Sequence, residues 1–173
     1  MEFIRLTSAD DSRFQDAIAL YSISFPAHEL RESASQCGIM SQPEYHFDMI
    51  YDVGLWCGDI LYWETAGFIY VEHFCIRTEL RGQRIGQRAL ELLGERGKLV
   101  ILEIDPPVDD ISIRRRGFYE RCGYCENPFP HVHPPYHAGN AGHELVIMSC
   151  PRPLSEEEYN RFNTYLRETV MGQ

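Results

Sequence analysis

The stretch from Phe68 to Gly86 constrains the fold of this chain more than any other segment: Phe-Ile-Tyr-Val-Glu-His-Phe-Cys-Ile-Arg-Thr-Glu-Leu-Arg-Gly-Gln-Arg-Ile-Gly. An apolar strand runs into an arginine–glycine turn, and Gln87-Arg88-Ala89-Leu90-Glu91-Leu92-Leu93 then takes up helical spacing. A helix start leaves its first backbone N–H groups unpaired and carries partial positive charge. A glycine-bearing turn feeding a helix can therefore receive an anion on its amides. The charge distribution agrees. Between Arg77 and Arg121 the chain holds ten of its 16 basic residues and eight acidic ones, a net of +2 within a chain of net charge -10.

The surrounding order is legible from periodicity. Glu2 to Leu6 predicts a first strand, and the caps at Thr7 to Asp10 predict a helix to about Ser24, ended by Phe25-Pro26. A second helix is expected from about Glu29 to Met40. Tyr45, Phe47, Met49 and Tyr51 alternate with polar or smaller neighbours, and with Trp56–Glu64 and Phe68–Arg77 they predict an antiparallel meander. Leu99 to Leu102 is a continuous apolar run, the pattern of a strand buried on both faces. A helix is expected from about Ile111 to Cys122, a loop from Glu126 to Gly142 rich in Pro, His and Gly, and a last strand from Glu144 to Cys150. Ser155-Glu156-Glu157-Glu158 is a capping box for a final helix.

This order and three segments within about residues 68 to 124 resemble the GNAT superfamily, the Gcn5-related N-acetyltransferases. Arg81-Gly82-Gln83-Arg84-Ile85-Gly86 occupies the family's Arg/Gln-x-x-Gly-x-Gly/Ala turn, and Phe118-Tyr119-Glu120-Arg121-Cys122-Gly123-Tyr124 matches its Tyr-x-x-x-Gly-aromatic ending. The resemblance implies a mixed α/β fold, a central mixed sheet of about six to seven strands flanked by helices, in one domain over residues 1–173. It also implies acetyl-CoA as co-substrate, with transfer to a primary amine by direct attack. Cofactor contacts are expected from the amides of Phe74, Cys75 and Ile76, from Arg81, Gly82, Gln83, Arg84, Ile85, Gly86 and Gln87, and from Ser112, which stands where the family usually has Asn. Arg84 replaces the turn's middle glycine, a position where positive φ would be strained.

Glu72, alone in an apolar strand, is expected either as a general base, since a half-buried carboxyl has a raised pKa, or as a strand-face carboxylate paired with an arginine. His73 is expected on the opposite strand face. Tyr119 resembles the family's general acid. Phe25, Glu29, Arg31, His133 and Tyr136 are the candidate acceptor contacts.

No metal is expected, because Cys122, Cys125 and the late histidines lack a recognised zinc spacing. The competing expectation is a non-catalytic acyl-CoA-binding or regulatory module of the same fold. The negative charge disfavours nucleic acid and anionic membrane as partners. The expected partner is a small-molecule or peptide amine, and a homodimer is compatible with the sequence. Without a signal-like N-terminus or an apolar run of about 18 residues, the chain is expected to be cytoplasmic, with thiols reduced.

Overall fold

The computed structural model describes residues 1–172. A seven-stranded sheet is assembled from β1 (Glu2–Leu6), β2 (Tyr45–Asp52), β3 (Leu55–Glu64), β4 (Phe68–Ile76), β5 (Leu99–Ile104), β6 (Cys125–Glu126) and β9 (Val146–Cys150), in the order β1-β2-β3-β4-β5-β9-β6. A separate two-stranded ladder joins β7 (Val132–His133) to β8 (His143–Glu144). The first four strands of the sheet form the antiparallel meander, β4 and β5 are parallel, and β9 returns antiparallel to β5. The fold is the mixed α/β sheet that the element order predicts.

Helices cover both faces. α1 (Phe14–Ser24), α2 (Ser33–Ile39) and α5 (Glu156–Tyr165) bury one face through Tyr21, Ile39 and Phe162 against Phe47, Trp63 and Tyr70. α3 (Ile85–Gly94) and α4 (Asp110–Arg121) cover the other, with Ile85, Ala89, Leu93 and Tyr119 against Val71, Val100 and Leu102. Strand alternation sends Tyr70 and Ile101 to the first face, and Val71 and Leu102 to the second.

Two boundaries differ from the sequence expectation. α1 begins at Phe14 because Asp11 folds back in a local turn, accepting from the Arg13 N–H at 2.9 Å, and this turn takes the place of a cap. The second helix shrinks to α2, because Leu30 and Glu32 are extended after a short 3-10 turn at Ala27–Glu29. The capping box at Ser155 forms as its spacing predicts, and the last helix continues as a π turn over Leu166–Val170.

β3 also buries Asp59, whose Oδ1 accepts from Trp56 Nε1 at 3.0 Å while its Oδ2 has no hydrogen-bond partner among the described residues. Burial, opposed only by that hydrogen bond, raises its pKa to about 7. The folded state therefore binds this proton more tightly than the unfolded chain does, and stability falls as pH rises from about 4 to about 7. Asp59→Asn removes the ionisation. It is expected to raise unfolding free energy by about 2–4 kcal/mol at pH 8, with the gain shrinking to nothing near pH 4. Urea unfolding at the two pH values checks this, and an equal effect at both would refute the assignment.

Candidate active site

The site exists because β4 and β5 stay paired for only four residues. Phe68 to Val71 run alongside Leu99 to Leu102, after which neither strand bridges to the other. Between the parted strands lies a cavity of about 1650 Å³, walled by Glu72 to Ile76, Glu103, Ile104, Tyr119 and the α3 turn.

A bulge controls what β4 presents to this gap. His73 pairs with Leu61 and Val71 with Tyr62, so Glu72 is the extra residue and the alternation reverses beyond it. Glu72 and His73 consequently face the same side, which corrects the expectation of opposite faces. His73 packs edge-on against Tyr21 and Phe25, while Glu72 reaches Arg31, Trp63 and Tyr136. Further along, Arg77 donates its N–H to Cys57 O on β3. By alternation the amide of Cys75 also faces β3, and those of Phe74 and Ile76 face the gap. Two of the three amides expected to meet the cofactor are thus available, and that of Cys75 is spent in the sheet.

At the cavity's other end Gly82 and Arg84 both adopt the left-handed conformation, at φ 80° and 59°, before α3 begins. Arg84 therefore carries the strain that a glycine would avoid, about 1 kcal/mol or more. Among the described residues the backbone N–H groups from Gly82 to Gln87 have no intrachain partner. Gly86 brings the turn against its neighbours: a Cβ there would lie 3.3 Å from Phe118 Cζ and 3.5 Å from Phe74 Cζ. Arg81 braces the turn by donating to Ile76 O at 3.1 Å. Arg84 and Arg121 line the cavity and make no ion pair among the described residues. The Gln83 side chain turns to Glu79 O, leaving only its backbone at the turn.

Tyr119 projects from α4 into the same cavity, and its hydroxyl has no hydrogen-bond partner among the described residues. Burial pushes its pKa to about 12, so it stays a phenol throughout the neutral range. Ser112 does not join it. Its hydroxyl completes a capping box with Asp109 and it is absent from the cavity wall, so the expected cofactor contact is corrected to a helix-capping role.

Glu72 is paired with an arginine rather than placed as a free base. It accepts from Arg31 Nη2 at 2.7 Å, Trp63 Nε1 at 2.8 Å and the Tyr136 hydroxyl at 2.9 Å. Burial alone would raise its pKa, but the Arg31 charge, with His73 and these hydrogen bonds, holds it down to about 2. A carboxylate so satisfied has little tendency to take a proton. Arg31, 7% exposed, is the internal counter-ion to Glu72 rather than an acceptor contact.

The remaining acceptor candidates, Phe25, Glu29, His133 and Tyr136, do line the cavity. They bring with them a group that the sequence reasoning missed. Glu103, on β5 just past the parting, accepts from the Tyr70 hydroxyl at 2.5 Å and pairs with His131 Nε2. Its carboxylate also lies 3.8 Å from His133 Nε2. Burial pushes Glu103 up, but the charge of His133 and the hydrogen bonds from His131 and Tyr70 bring it below the usual carboxylate range. His133 Nδ1 contacts Pro134 O, whereas Nε2 is buried without a hydrogen bond among the described residues. Glu103 carried the same signal as Glu72, a lone carboxylate in an apolar strand.

The gap between the parted strands is bounded by open amides at one end and by carboxylates and imidazoles at the other. The chain belongs to the GNAT family of acetyltransferases. It is 30% identical to a GNAT-family protein from Bacteroides thetaiotaomicron, matching over 100% of this chain and 99% of that one with a TM-score of 0.93. More distant matches share the fold alone. An aminoglycoside 6'-N-acetyltransferase solved with coenzyme A has 17% identity and a TM-score of 0.58 over 89% of this chain and all of its own. The ribosomal-protein-S18-alanine N-acetyltransferase of Escherichia coli has 15% identity and a TM-score of 0.55, covering 90% of this chain and 96% of its own. No family model and no curated protein sequence matches the chain. Among the described residues no helix is long and apolar enough to cross a membrane.

Proposed function

We propose that the protein transfers the acetyl group of acetyl-CoA to a cationic primary amine. The observation that carries this is the run of unpartnered amides from Gly82 to Gln87, opening into a cavity that continues along the parted strands to His133. These amides suit the pyrophosphate of the cofactor, Arg84 and Arg121 its remaining phosphate charge, and the amides of Phe74 and Ile76 the acyl carbonyl. Acetyl-CoA supplies an activated thioester at the gap.

The chain's own groups then divide the work. Phe25, His73 and Tyr136 give the acceptor end aromatic walls, and Glu103 gives it negative charge, a combination suited to an ammonium. Proton removal falls to His133. Its Nδ1 is anchored on Pro134 O, its Nε2 lone pair is uncommitted, and Glu103 at 3.8 Å stabilises the imidazolium that forms. Glu72 acts through others: it fixes Arg31 and Tyr136 and so shapes the pocket. Tyr119, too weak an acid to give its proton up fully, stabilises the departing thiolate by hydrogen bonding. The acetyl-CoA-binding module without turnover would keep the cradle and leave His133 without a role.

At about a hundred times its dissociation constant, acetyl-CoA is expected to add about 2.7 kcal/mol, a melting shift of about 5–10 °C. Thiol release is then measured across a panel of primary amines. No thermal shift refutes cofactor binding, and a shift with no release from any amine favours the module without turnover.

A further inference from the structure

We propose that the rim of the cavity holds a divalent transition-metal ion, with zinc as the first choice, bound by His28, Glu29 and His143. The ligand atoms of these three residues all lie within 4.8 Å of one another, and all three residues belong to the cavity wall. They come from distant parts of the chain: His28 and Glu29 from the 3-10 turn after α1, and His143 from β8, where it pairs with His133.

The spacing of this cluster fits an ion better than it fits hydrogen bonding. Neither the His28 nor the His143 imidazole makes a hydrogen bond among the described residues. Their nearest carboxylate contacts are 3.6 Å, from His28 Nε2 to Glu29 Oε1, and 3.5 Å, from His143 Nε2 to Asp105 Oδ1. Both exceed hydrogen-bond length. The first of these, between two of the ligands, approaches the ligand-to-ligand edge of about 3.3–3.4 Å that tetrahedral bonds of about 2.0–2.1 Å impose. Two imidazoles and one carboxylate form a zinc donor set that leaves a fourth position open. A supporting shell is also present. Arg115 holds Asp105 Oδ2 at 2.6 Å, which keeps Oδ1 at 3.5 Å from His143 Nε2 and sets a fixed negative charge beside that ring. The Glu29 carbonyl is tied to His73 Nε2 at 2.9 Å, which steadies the turn carrying two of the ligands.

An ion here would clasp the segment carrying His133 and Tyr136 to the end of α1 and close one side of the acceptor entrance. The site is independent of the six cysteines, which are all free thiols.

The test uses the full chain, stripped with a chelator and titrated with zinc by calorimetry and with cobalt by absorption. One ion per chain is expected, with a tetrahedral cobalt spectrum and no thiolate charge-transfer band. His28→Ala/His143→Ala should weaken zinc at least tenfold while preserving the circular dichroism and the acetyl-CoA thermal shift. Unchanged zinc affinity in that variant, a thiolate band, or no stoichiometric binding by the native chain would each overturn the proposal.

Discussion

Arg31→Met is expected to destabilise the protein by about 3–5 kcal/mol, and Glu72→Gln by a similar amount, because each leaves the opposite charge buried and unanswered. The side chains are 4% and 1% exposed and meet at 2.7 Å, too enclosed for water to replace a lost partner. The double variant Arg31→Met/Glu72→Gln should recover much of the loss, giving a large coupling energy in a double-mutant cycle. The pair also has a pH signature. Because the folded-state pKa of Glu72 is depressed from 4.5 to about 2, its stabilisation is present above about pH 4.5 and lost as pH falls toward 2. Urea unfolding of the three variants measures all of this. Full stability of Glu72→Gln combined with loss of turnover would return the glutamate to the role of general base.

His133→Ala is expected to lower kcat by about 10²–10⁴-fold, the usual worth of a positioned proton acceptor. The acetyl-CoA thermal shift should be unchanged, since the cradle at Gly82 to Gln87 belongs to a different part of the fold. Added imidazole should restore part of the rate, a response that a purely structural role for His133 would not give. Glu103→Gln is predicted to lower kcat less severely, because the imidazole keeps its Pro134 anchor and loses only the charge that stabilises its protonated form. Unaltered kcat in His133→Ala would eliminate it as the base.

Several features of the site are local and were legible for that reason. The turn at Arg81 to Gly86 announces itself because a strand, glycines and a helix start must follow one another covalently. The capping box at Ser155 likewise depends on residues three apart, and Tyr119 was found through the resemblance of Phe118 to Tyr124 to the family's motif. Ser112 was misjudged through a motif position: its nearest partner, Asp109, lies in its own helix turn and claims the hydroxyl first. His73 was misjudged through a bulge, whose single extra residue reverses every later side chain of β4 and leaves no mark on the apolar pattern.

By itself the sequence determined the order of elements, the alternation of the strands and the glycine turn before α3, since each arises between residues a few positions apart. The tertiary structure decided what the ionisable groups do. Glu72 is a buried counter-ion because Arg31, 41 positions away, is folded onto it, and Glu103 and His133 come within 3.8 Å only because β7 is laid over the parted end of β5. The physical reason is one of range. Backbone pattern is governed by neighbours along the chain, whereas the ionisation of a buried group is governed by burial and by whichever charges the fold sets beside it.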